Sequence, residues 1–265
     1  MSLQVVQNFA IIDETDDWVV VDKPAPLIVH PANNKPEPTL LGGLEHYFAY
    51  EIANGAKMGI VTRLDRETSG LVLVAKTTKA ARGLGIVFER REARKEYLAI
   101  VIGWPEANEW TNDSRICRAG DVRETDIWVR QIVDPAGKEC RTSFFVENRF
   151  ERNGSKFSLV RCFPKTGRMH QIRVHLAASG FPIVGDKIYS GDGHEYLQWM
   201  QFGWSDLLAE KLLLSRHALH ASRLSLDWDG IEVAWQAPLP NDLRDFIEGR
   251  HSKPSPDIVI WNHKG

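Results

Sequence analysis

Short β-rich runs, separated by residues that end strands, are the feature that most constrains the fold of this chain. Trp18–Val21 is apolar throughout and is followed by Asp22-Lys23-Pro24, and proline cannot donate to the ladder of a sheet. The runs do not alternate regularly with helices, as they would in a doubly wound parallel sheet, so we predict an α+β fold with a mixed, largely antiparallel central sheet. The further predicted strands are Ile60–Leu64, Gly70–Lys76, Tyr97–Ile102, Arg141–Phe150, Lys156–Phe163, Leu219–Trp228 and Ile231–Trp235.

Segments with apolar residues at helical spacing are predicted to flank this sheet. In Thr39–Ala53, for example, Leu40 and Leu44 recur four residues apart, which places them on one face of a helix. The other predicted helices run from Thr77 or Thr78 to about Arg90, from Thr166 to Ser179 with Gly180 as the terminating residue, over 195–214, and from Asn241 to Glu248.

The length and composition of the chain suit one large domain, or one domain with an insertion. The chain has 265 residues, of which 43% are hydrophobic, so it can bury a sizeable core. Residues 104–140 are polar, acidic and rich in turns, and we expect them to form either an inserted subdomain or a long hairpin. Residues 251–265 are expected to be a C-terminal tail.

The charges are balanced overall but segregated along the chain. With 33 Lys and Arg against 35 Asp and Glu, the net charge of −2 excludes a uniformly basic nucleic-acid coat protein. Residues 56–100, however, contain ten basic and five acidic residues, and residues 141–187 contain nine and three. If the fold brings these two blocks together, a neutral protein acquires a basic face suited to nucleic acid.

The cysteines and apolar segments exclude several classes of protein. Cys117, Cys140 and Cys162 are widely spaced and belong to no Cys/His ligand pattern, so we expect no structural metal and no disulfide framework. A reducing, cytoplasmic location fits such cysteine usage. No apolar run approaches the roughly 20 residues that a membrane span needs, and we expect no association with a membrane.

Two segments carry candidate chemistry, and each also has a plainer interpretation. In Arg63-Leu64-Asp65-Arg66 a carboxylate lies between two arginines, which would keep it ionised and able to act as a nucleophile or base. The alternative is a surface turn in which Asp65 caps backbone groups. In Lys165–His175 a basic helix N-terminus would suit a phosphate group. The alternative there is an amphipathic helix with a polar outer face.

Together with three other motifs, these segments resemble the RluA family of RNA pseudouridine synthases. The five motifs occur in the family's order, and the resemblance spans residues 12–240. It implies a mixed sheet with flanking helices and a central catalytic cleft, in a catalytic domain over residues 12–250. Many relatives carry an S4 RNA-binding domain before it, but because the Lys-Pro motif starts near residue 20 we expect none here. The motifs are Val20–Pro24 with Val29–Pro31, Arg63–Lys76, Lys95–Tyr97, Lys165–Leu176 with Gly185-Asp186, and Leu219–Leu224.

The resemblance also implies roles for individual positions. Asp65 corresponds to the catalytic aspartate, Tyr97 to the tyrosine that stacks on the target base, and Arg173 to the arginine that pairs with the aspartate. Arg63 corresponds to the arginine that fills the space left by the flipped nucleotide. Further RNA contacts are expected from Arg66, Arg90, Arg91, Arg94, Lys95, Lys165, Arg168, His170 and Gln171.

The expected reaction moves uracil from an N1 to a C5 linkage on the same ribose. It involves no redox change and no external group, so we expect no cofactor. Asp65 would either attack C1′ or remove the 2′ proton, and the sequence leaves both routes open. The substrate would be ribosomal or transfer RNA, and we expect the protein to act as a monomer. The alternatives are an RNA-binding protein without catalysis and, less well supported, a nucleoside or glycoside hydrolase.

One position departs from the family pattern. Thr62 stands where the family usually has histidine before Arg-Leu-Asp. Because that histidine is not the nucleophile, we still expect activity, but we expect a change in the hydrogen bonding close to the flipped nucleotide.

Overall fold

The computed structural model describes residues 9–30 and 37–250. The predicted tail at 251–265, and most of the predicted loop at 33–38, lie outside these residues. Within them the strands are β1 (Ala10–Glu14), β2 (Trp18–Lys23), β3 (Gly59–Ile60), β4 (Ser69–Ala75), β5 (Arg94–Ile102), β6 (Glu109–Asn112), β7 (Ile116–Arg118), β8 (Gln131–Val133), β9 (Thr142–Arg152), β10 (Ser155–Pro164), β11 (Leu219–Trp228) and β12 (Ile231–Gln236). The α-helices are α1 (Leu40–Tyr47), α2 (Ala49–Ala53), α3 (Thr78–Glu89), α4 (Gln171–Ala178), α5 (His194–Phe202), α6 (Asp206–Leu212) and α7 (Asn241–Glu248).

The chain forms two compact units. The first contains the described residues up to Tyr97 together with His220–Leu239, and the second contains Leu98–Leu219 together with the described residues from Pro240.

In the first unit the strand order is β1-β2-β4-β11, followed by the first residues of β5. The pairs β1/β2, β2/β4, β3/β4 and β11/β12 are antiparallel, whereas β4 and β11 are parallel. The predicted mixed, largely antiparallel sheet is therefore confirmed. The parallel contact aligns His220 with Ser69 and Ala221 with Gly70.

Strands β2 and β4 are buried because helices cover both faces of this sheet. Successive side chains of a strand point to opposite faces, and the two faces hold separate core clusters. On one face, residues such as Leu71 and Leu73 pack with Leu84 of α3. On the other, residues such as Val72 and Val74 pack with α1. This explains why Trp18–Val21 of β2 and Leu71–Ala75 of β4 are apolar at every position instead of alternating with polar residues.

The second unit is built on the long antiparallel hairpin of β9 and β10, with β6 against β9. Its turn residues Asn153 and Gly154 have φ values of 49° and 76°, as the Asn-Gly dipeptide predicts. On the hairpin, Phe246 of α7 contacts Phe157, with ring centroids 5.2 Å apart. Segment 104–140 contributes β6 and the separate two-stranded sheet of β7 and β8; its status as a subdomain stays a prediction.

Several predicted element boundaries are wrong. The strand predicted over Ile60–Leu64 ends at Ile60, and the helix predicted from Thr39 is divided at Phe48. The helix predicted over 195–214 is interrupted at Gly203, whose φ of 77° is incompatible with an α-helix. In contrast, α3 begins after Thr77, whose hydroxyl caps the Ala80 N–H at 3.0 Å.

Gly70 is required where β4 and β11 approach each other. Its φ is +108°, and a Cβ atom there would lie 2.3 Å from the Ala221 carbonyl oxygen. We predict that Gly70→Ala lowers the free energy of unfolding by about 2–5 kcal/mol, because it adds both backbone strain and a steric clash. Urea denaturation followed by circular dichroism measures this change.

The matched control is Gly85→Ala at an exposed position of α3, where a Cβ atom would contact nothing within 4 Å. This substitution should raise stability by about 0.5–1 kcal/mol, because alanine is the better helix former. Equal stability of the two variants would contradict the assignment of Gly70 as a close-approach glycine.

Candidate active site

The segment that carries Asp65 is held to β4 at its N-terminal end. The N–H groups of Val61 and Thr62 donate to the Leu73 carbonyl at 3.0 and 3.2 Å. In addition, the Thr62 hydroxyl accepts a hydrogen bond from the Leu73 N–H at 2.8 Å. The backbone therefore leaves the sheet from a defined point, three residues before Asp65.

A buried lysine holds the other end of this segment. Lys23 has no exposed surface, and its ammonium group donates to the carbonyl oxygens of Pro24, Leu27 and Arg66 at 2.9, 2.8 and 3.2 Å. The Leu27 N–H also donates to the Arg66 carbonyl at 3.0 Å. A buried charge is tolerated when several dipoles replace its water, so Lys23 holds the backbone one residue after Asp65.

The side chains of the segment lie at the edge between interior and solvent. Asp65 is half-buried, and its carbonyl accepts the Thr68 N–H at 3.1 Å in a turn. Arg66 is half-buried and pairs with Glu37 at 3.0 Å. Arg63 is exposed, as an arginine that contacts a macromolecule needs to be.

Tyr97 is half-buried on β5, in the same unit as Asp65. The carbonyl of the preceding residue, Glu96, accepts a hydrogen bond from the Ser222 hydroxyl of β11 at 3.2 Å, which helps to fix this part of the strand. Burial, together with the charge of Arg91, lowers the pKa of the Lys95 ammonium group. The exposed arginines between α3 and Tyr97 are Arg90, Arg91 and Arg94.

A buried histidine ties the start of β4 to β11. His220 Nε2 lies 3.3 Å from the Ala237 carbonyl oxygen, and its Nδ1 lies 3.0 Å from the Ser69 hydroxyl. Since a carbonyl only accepts, Nε2 donates to Ala237, while Nδ1 and the Ser69 hydroxyl share the second hydrogen bond. His220 therefore supports the segment that ends at Ser69.

In the second unit Arg173 forms a buried bidentate ion pair with Asp186. Its Nε and Nη2 atoms lie 2.7 and 2.9 Å from the two carboxylate oxygens. Oδ1 of Asp186 also accepts the N–H groups of Ile188 and Tyr189. Burial raises the pKa of Asp186, but the charge and hydrogen bonds of Arg173, the Ile188 N–H and the charge of His170 hold it below its ordinary value. The pair therefore fixes the orientation of the guanidinium group.

Tyr189 links this ion pair to His170. The Tyr189 hydroxyl accepts the Gln131 N–H at 2.9 Å and lies at hydrogen-bond distance, 2.8 Å, from His170 Nδ1. The Arg173 guanidinium carbon lies 5.0 Å from the centre of the Tyr189 ring, a cation–π distance. His170 itself has a φ of 55°.

Gln171 fastens the loop that precedes α4. Its amide oxygen accepts from the Thr166 hydroxyl at 2.6 Å and from the Arg168 N–H at 3.1 Å. Its amide nitrogen donates to the Arg141 carbonyl and the Thr142 hydroxyl of the neighbouring strand region. Protein groups therefore provide four hydrogen-bond partners for the Gln171 amide, and the residue is only 3% exposed.

The helix predicted over Thr166–Ser179 begins only at Gln171, so the expected placement of Lys165 and Arg168 at a helix N-terminus is wrong. The left-handed backbone of His170 cannot belong to an α-helix, and both basic residues lie exposed on the preceding loop. The C-terminal part of the prediction is confirmed, because Gly180 follows the helix with a φ of 85°.

The polar side of α4 faces the interior and not the solvent. Gln171, Arg173 and His175 are all buried, whereas Met169 precedes the helix and is 45% exposed. His175 lies 2.9 Å from both the Thr142 hydroxyl and the Ser114 carbonyl oxygen. Burial lowers its pKa, so the ring is held neutral.

His217 lies among several positive charges in the second unit. The ring is buried, and its pKa is well below the ordinary value because of burial and because of the charges of Arg173, Lys187, Arg216 and His170. His217 is therefore neutral in the folded protein. The charges around it include two buried cations, Lys187 and Arg216, which bind the Ser215 carbonyl and the Asp242 carboxylate respectively.

Within the described residues, no group of three or more His, Cys, Asp or Glu side chains is arranged to hold a metal ion. Nor does that part of the chain contain a helix long and apolar enough to cross a membrane.

Known proteins are similar to this chain in sequence and in fold. The family model described as RNA pseudouridylate synthase matches residues 17–178. Ribosomal large subunit pseudouridine synthase D of Escherichia coli K12 is 37% identical over 241 residues, which cover 90% of this chain and 69% of that protein. The chain belongs to the RluA-type family of RNA pseudouridine synthases. It is therefore an isomerase that acts on RNA.

Other relatives agree with this assignment. The synthase D of Salmonella typhimurium is 36% identical over 255 residues, which cover 95% of this synthase and 74% of the relative. Among solved structures, human RNA pseudouridylate synthase domain containing 4 shares 23% identity with a TM-score of 0.71, covering 93% of this chain and 95% of that chain. At this identity the structural match shows the fold alone, and it agrees with the predicted pseudouridine synthase fold.

The predicted site residues of the synthase lie in both units. Asp65 and Tyr97 belong to the first unit together with the arginines of the Asp65 segment and those that follow α3. Arg173, Lys165, Arg168, His170 and Gln171 belong to the second. The ion pair of Arg173 with Asp65, the central cleft and the combined basic face stay predictions.

Sequence reasoning missed the residues that support the predicted ones. Lys23 and Asp186 occur in the recognised motifs, but nothing in the sequence showed which atoms they would bind. Tyr189 belongs to none of the motifs, and the sequence suggested for His217 only the role of a metal ligand, which the absence of acidic or Cys partners at ligand spacing spoke against. The available signal was a lysine close to the end of an apolar strand, because lysine is almost never fully buried unless it is paired.

We predict that Lys23→Met lowers the free energy of unfolding by about 2–4 kcal/mol, because buried carbonyl groups lose their donor. Urea denaturation measures the change. Lys79→Met on the exposed surface of α3 is the matched control and should change stability by less than about 0.5 kcal/mol. If both variants are equally stable, the buried ammonium group does not hold this region together.

The lowered pKa of His217 predicts a dependence of stability on pH. Below about pH 6.5 the unfolded chain binds a proton at this histidine that the folded protein does not bind, so stability falls as the pH is lowered. The limiting slope is about 1.4 kcal/mol per pH unit for one group. Urea denaturation between pH 7.5 and 5 should show this loss, and His217→Gln should reduce its slope. The control substitution is His194→Gln, at an exposed histidine, and it should leave the pH dependence of stability unchanged. If stability changes with pH equally in His217→Gln and in the wild type, the prediction is contradicted.

Proposed function

We propose that this synthase converts uridine to pseudouridine in ribosomal RNA, with Asp65 as its catalytic residue. The observation that carries the choice of RNA is the 37% identity to a ribosomal large subunit synthase over 90% of this chain. Transfer RNA is the second candidate substrate, and the labelled-RNA experiment below distinguishes the two.

Asp65 is proposed as the group that activates the sugar. An ionised carboxylate can attack C1′ or remove the 2′ proton, and both routes break the N1–C1′ bond and return the base through C5. Support comes from the segment itself, which β4 holds before Asp65 and Lys23 holds after it. A catalytic group that is positioned in advance loses little freedom in the transition state.

Arg173 is proposed to keep Asp65 ionised and oriented. A guanidinium group favours the charged form of a nearby carboxylate. Asp186 supports this role because its bidentate pair fixes the plane of the Arg173 guanidinium group. Because the interior position of Arg173 also excludes water, its charge would act more strongly there than at the surface.

Tyr97 is proposed to hold the uracil ring while its glycosidic bond is broken. Stacking on an aromatic face restrains the base but permits it to rotate in its plane. The Tyr97 hydroxyl can also accept the C5 proton, directly or through a water molecule. The half-buried position of Tyr97 on β5, in the same unit as Asp65, supports contact with a flipped base.

Base flipping would expose the target uridine to Asp65. Extrusion costs a few kcal/mol, and we propose that exposed Arg63 enters the vacated space in the RNA. The exposed arginines Arg90, Arg91 and Arg94 are proposed to bind phosphates. Lys165 and Arg168 lie exposed on the loop before α4. They would bind phosphates from this loop and not from a helix terminus.

The proposed location is the cytoplasm. All three cysteines, Cys117, Cys140 and Cys162, are free thiols. This fits a reducing compartment.

The activity is tested with RNA that carries tritium at C5 of uridine. We predict that the wild type releases tritium from large-subunit ribosomal RNA and that Asp65→Asn lowers this release by more than about 10³-fold, since the amide cannot act as nucleophile or base. Glu89→Gln at the exposed end of α3 is the matched control and should retain wild-type activity.

Three outcomes separate the alternatives. Release from transfer RNA transcripts alone would contradict the ribosomal assignment but not the chemistry. Binding of RNA without release by the wild type would favour an RNA-binding protein that lacks catalysis. Free uracil and abasic RNA, without pseudouridine, would favour hydrolysis.

A further inference from the structure

The side chain of Thr62 is engaged with the sheet. Its hydroxyl accepts the Leu73 N–H at 2.8 Å, while its own N–H donates to the Leu73 carbonyl at 3.2 Å. Thr62 therefore binds both backbone groups of one residue of β4. We call this two-bond contact between Thr62 and Leu73 the Thr62 clasp.

The clasp satisfies a backbone group that the sheet itself leaves without a partner. β3 pairs with β4 only at Gly59 and Ile60, where Ile60 is opposite Val74. The next position on β4 is Leu73, which is completely buried. A buried N–H without an acceptor costs about 1–3 kcal/mol, and the Thr62 hydroxyl supplies the acceptor where the backbone of β3 has already turned away.

The clasp also defines the path of the chain to Asp65. Thr62 lies three residues before Asp65, and the Arg66 carbonyl, directly after it, is bound by Lys23 and by the Leu27 N–H. Residues 62–66 therefore form a short span that is attached at both ends. Loss of one attachment gives the Asp65 backbone more freedom without removing any group that reacts.

We propose that Thr62 is a positioning residue for Asp65, and that the specific contribution is the acceptor oxygen of its hydroxyl. This inference rests on the proposed catalytic role of Asp65. Thr62 is also the position at which this chain departs from the family pattern, and its hydroxyl binds the β4 backbone.

A positioning role affects the rate constant more than the affinity. Displacement of a catalytic group by about 1 Å can cost on the order of 100-fold in rate, whereas residues that bind RNA elsewhere are not disturbed. We therefore expect Thr62→Val, which preserves the shape but not the acceptor, to lower kcat by about 10- to 100-fold. KM for the RNA should change by less than about twofold.

The matched variants isolate the hydroxyl. Thr62→Ser retains the acceptor and should retain kcat within about threefold, and Thr62→Ala is a second variant without the hydroxyl. Thr78→Val changes an exposed threonine and should have no effect. Kinetics use tritium release from large-subunit ribosomal RNA, at a temperature where circular dichroism shows every variant to be folded. Amide hydrogen exchange at Leu73 should be faster in Thr62→Val than in Thr62→Ser.

Each outcome decides a separate point. If the wild type releases no tritium, the proposed function fails, and this inference fails with it. If the wild type is active and Thr62→Val is equally active, only the positioning role is overturned. Equal impairment of Thr62→Ser and Thr62→Val would also overturn it, since the acceptor would not be the cause. If both hydroxyl-free variants fail to fold while Thr62→Ser folds, the hydroxyl serves stability and the positioning role is overturned.

Discussion

The complete burial of β4 is the constraint on which the candidate catalytic segment depends. Because both faces of this strand are covered and its neighbours pair along both edges, its backbone cannot move without disrupting the core. The Asp65 segment is attached to that backbone through Leu73 and continues into β4 at Ser69. A flexible loop would need to be ordered for each turnover, whereas a segment held on a buried strand is ordered before the substrate arrives.

Buried charges with several hydrogen bonds position the other candidate functional groups. The Lys23 ammonium group binds carbonyl oxygens, and Arg173 binds both oxygens of Asp186. Such groups add little net stability, since desolvation opposes their attraction. They do impose one geometry, because any alternative arrangement leaves a buried charge without a partner. This is the property that a catalytic site needs, and it explains why the motifs contain charged residues that never reach the surface.

Local sequence predicted the elements whose geometry is determined locally. The Asn153-Gly154 turn and the Thr77 cap of α3 depend on backbone conformations that a few neighbouring residues select. The start of α4 was predicted five residues too early, because Thr166 also looks like a cap. Its hydroxyl instead donates to Gln171, inside a polar network with Thr142 of β9. That network joins residues far apart in sequence, so no local pattern could reveal it.

The sequence by itself determined the fold class, the family and the residues expected to carry the chemistry, because apolar periodicity and the order of motifs are properties of the chain. Only the tertiary structure decided which atoms these residues bind. The contacts of Lys23 with Arg66, of Thr62 with Leu73 and of Arg173 with Asp186 each depend on elements that meet when the chain folds. A hydrogen bond requires a donor–acceptor distance within a few tenths of an ångström and a nearly straight angle at the hydrogen. The side-chain types alone do not contain that information.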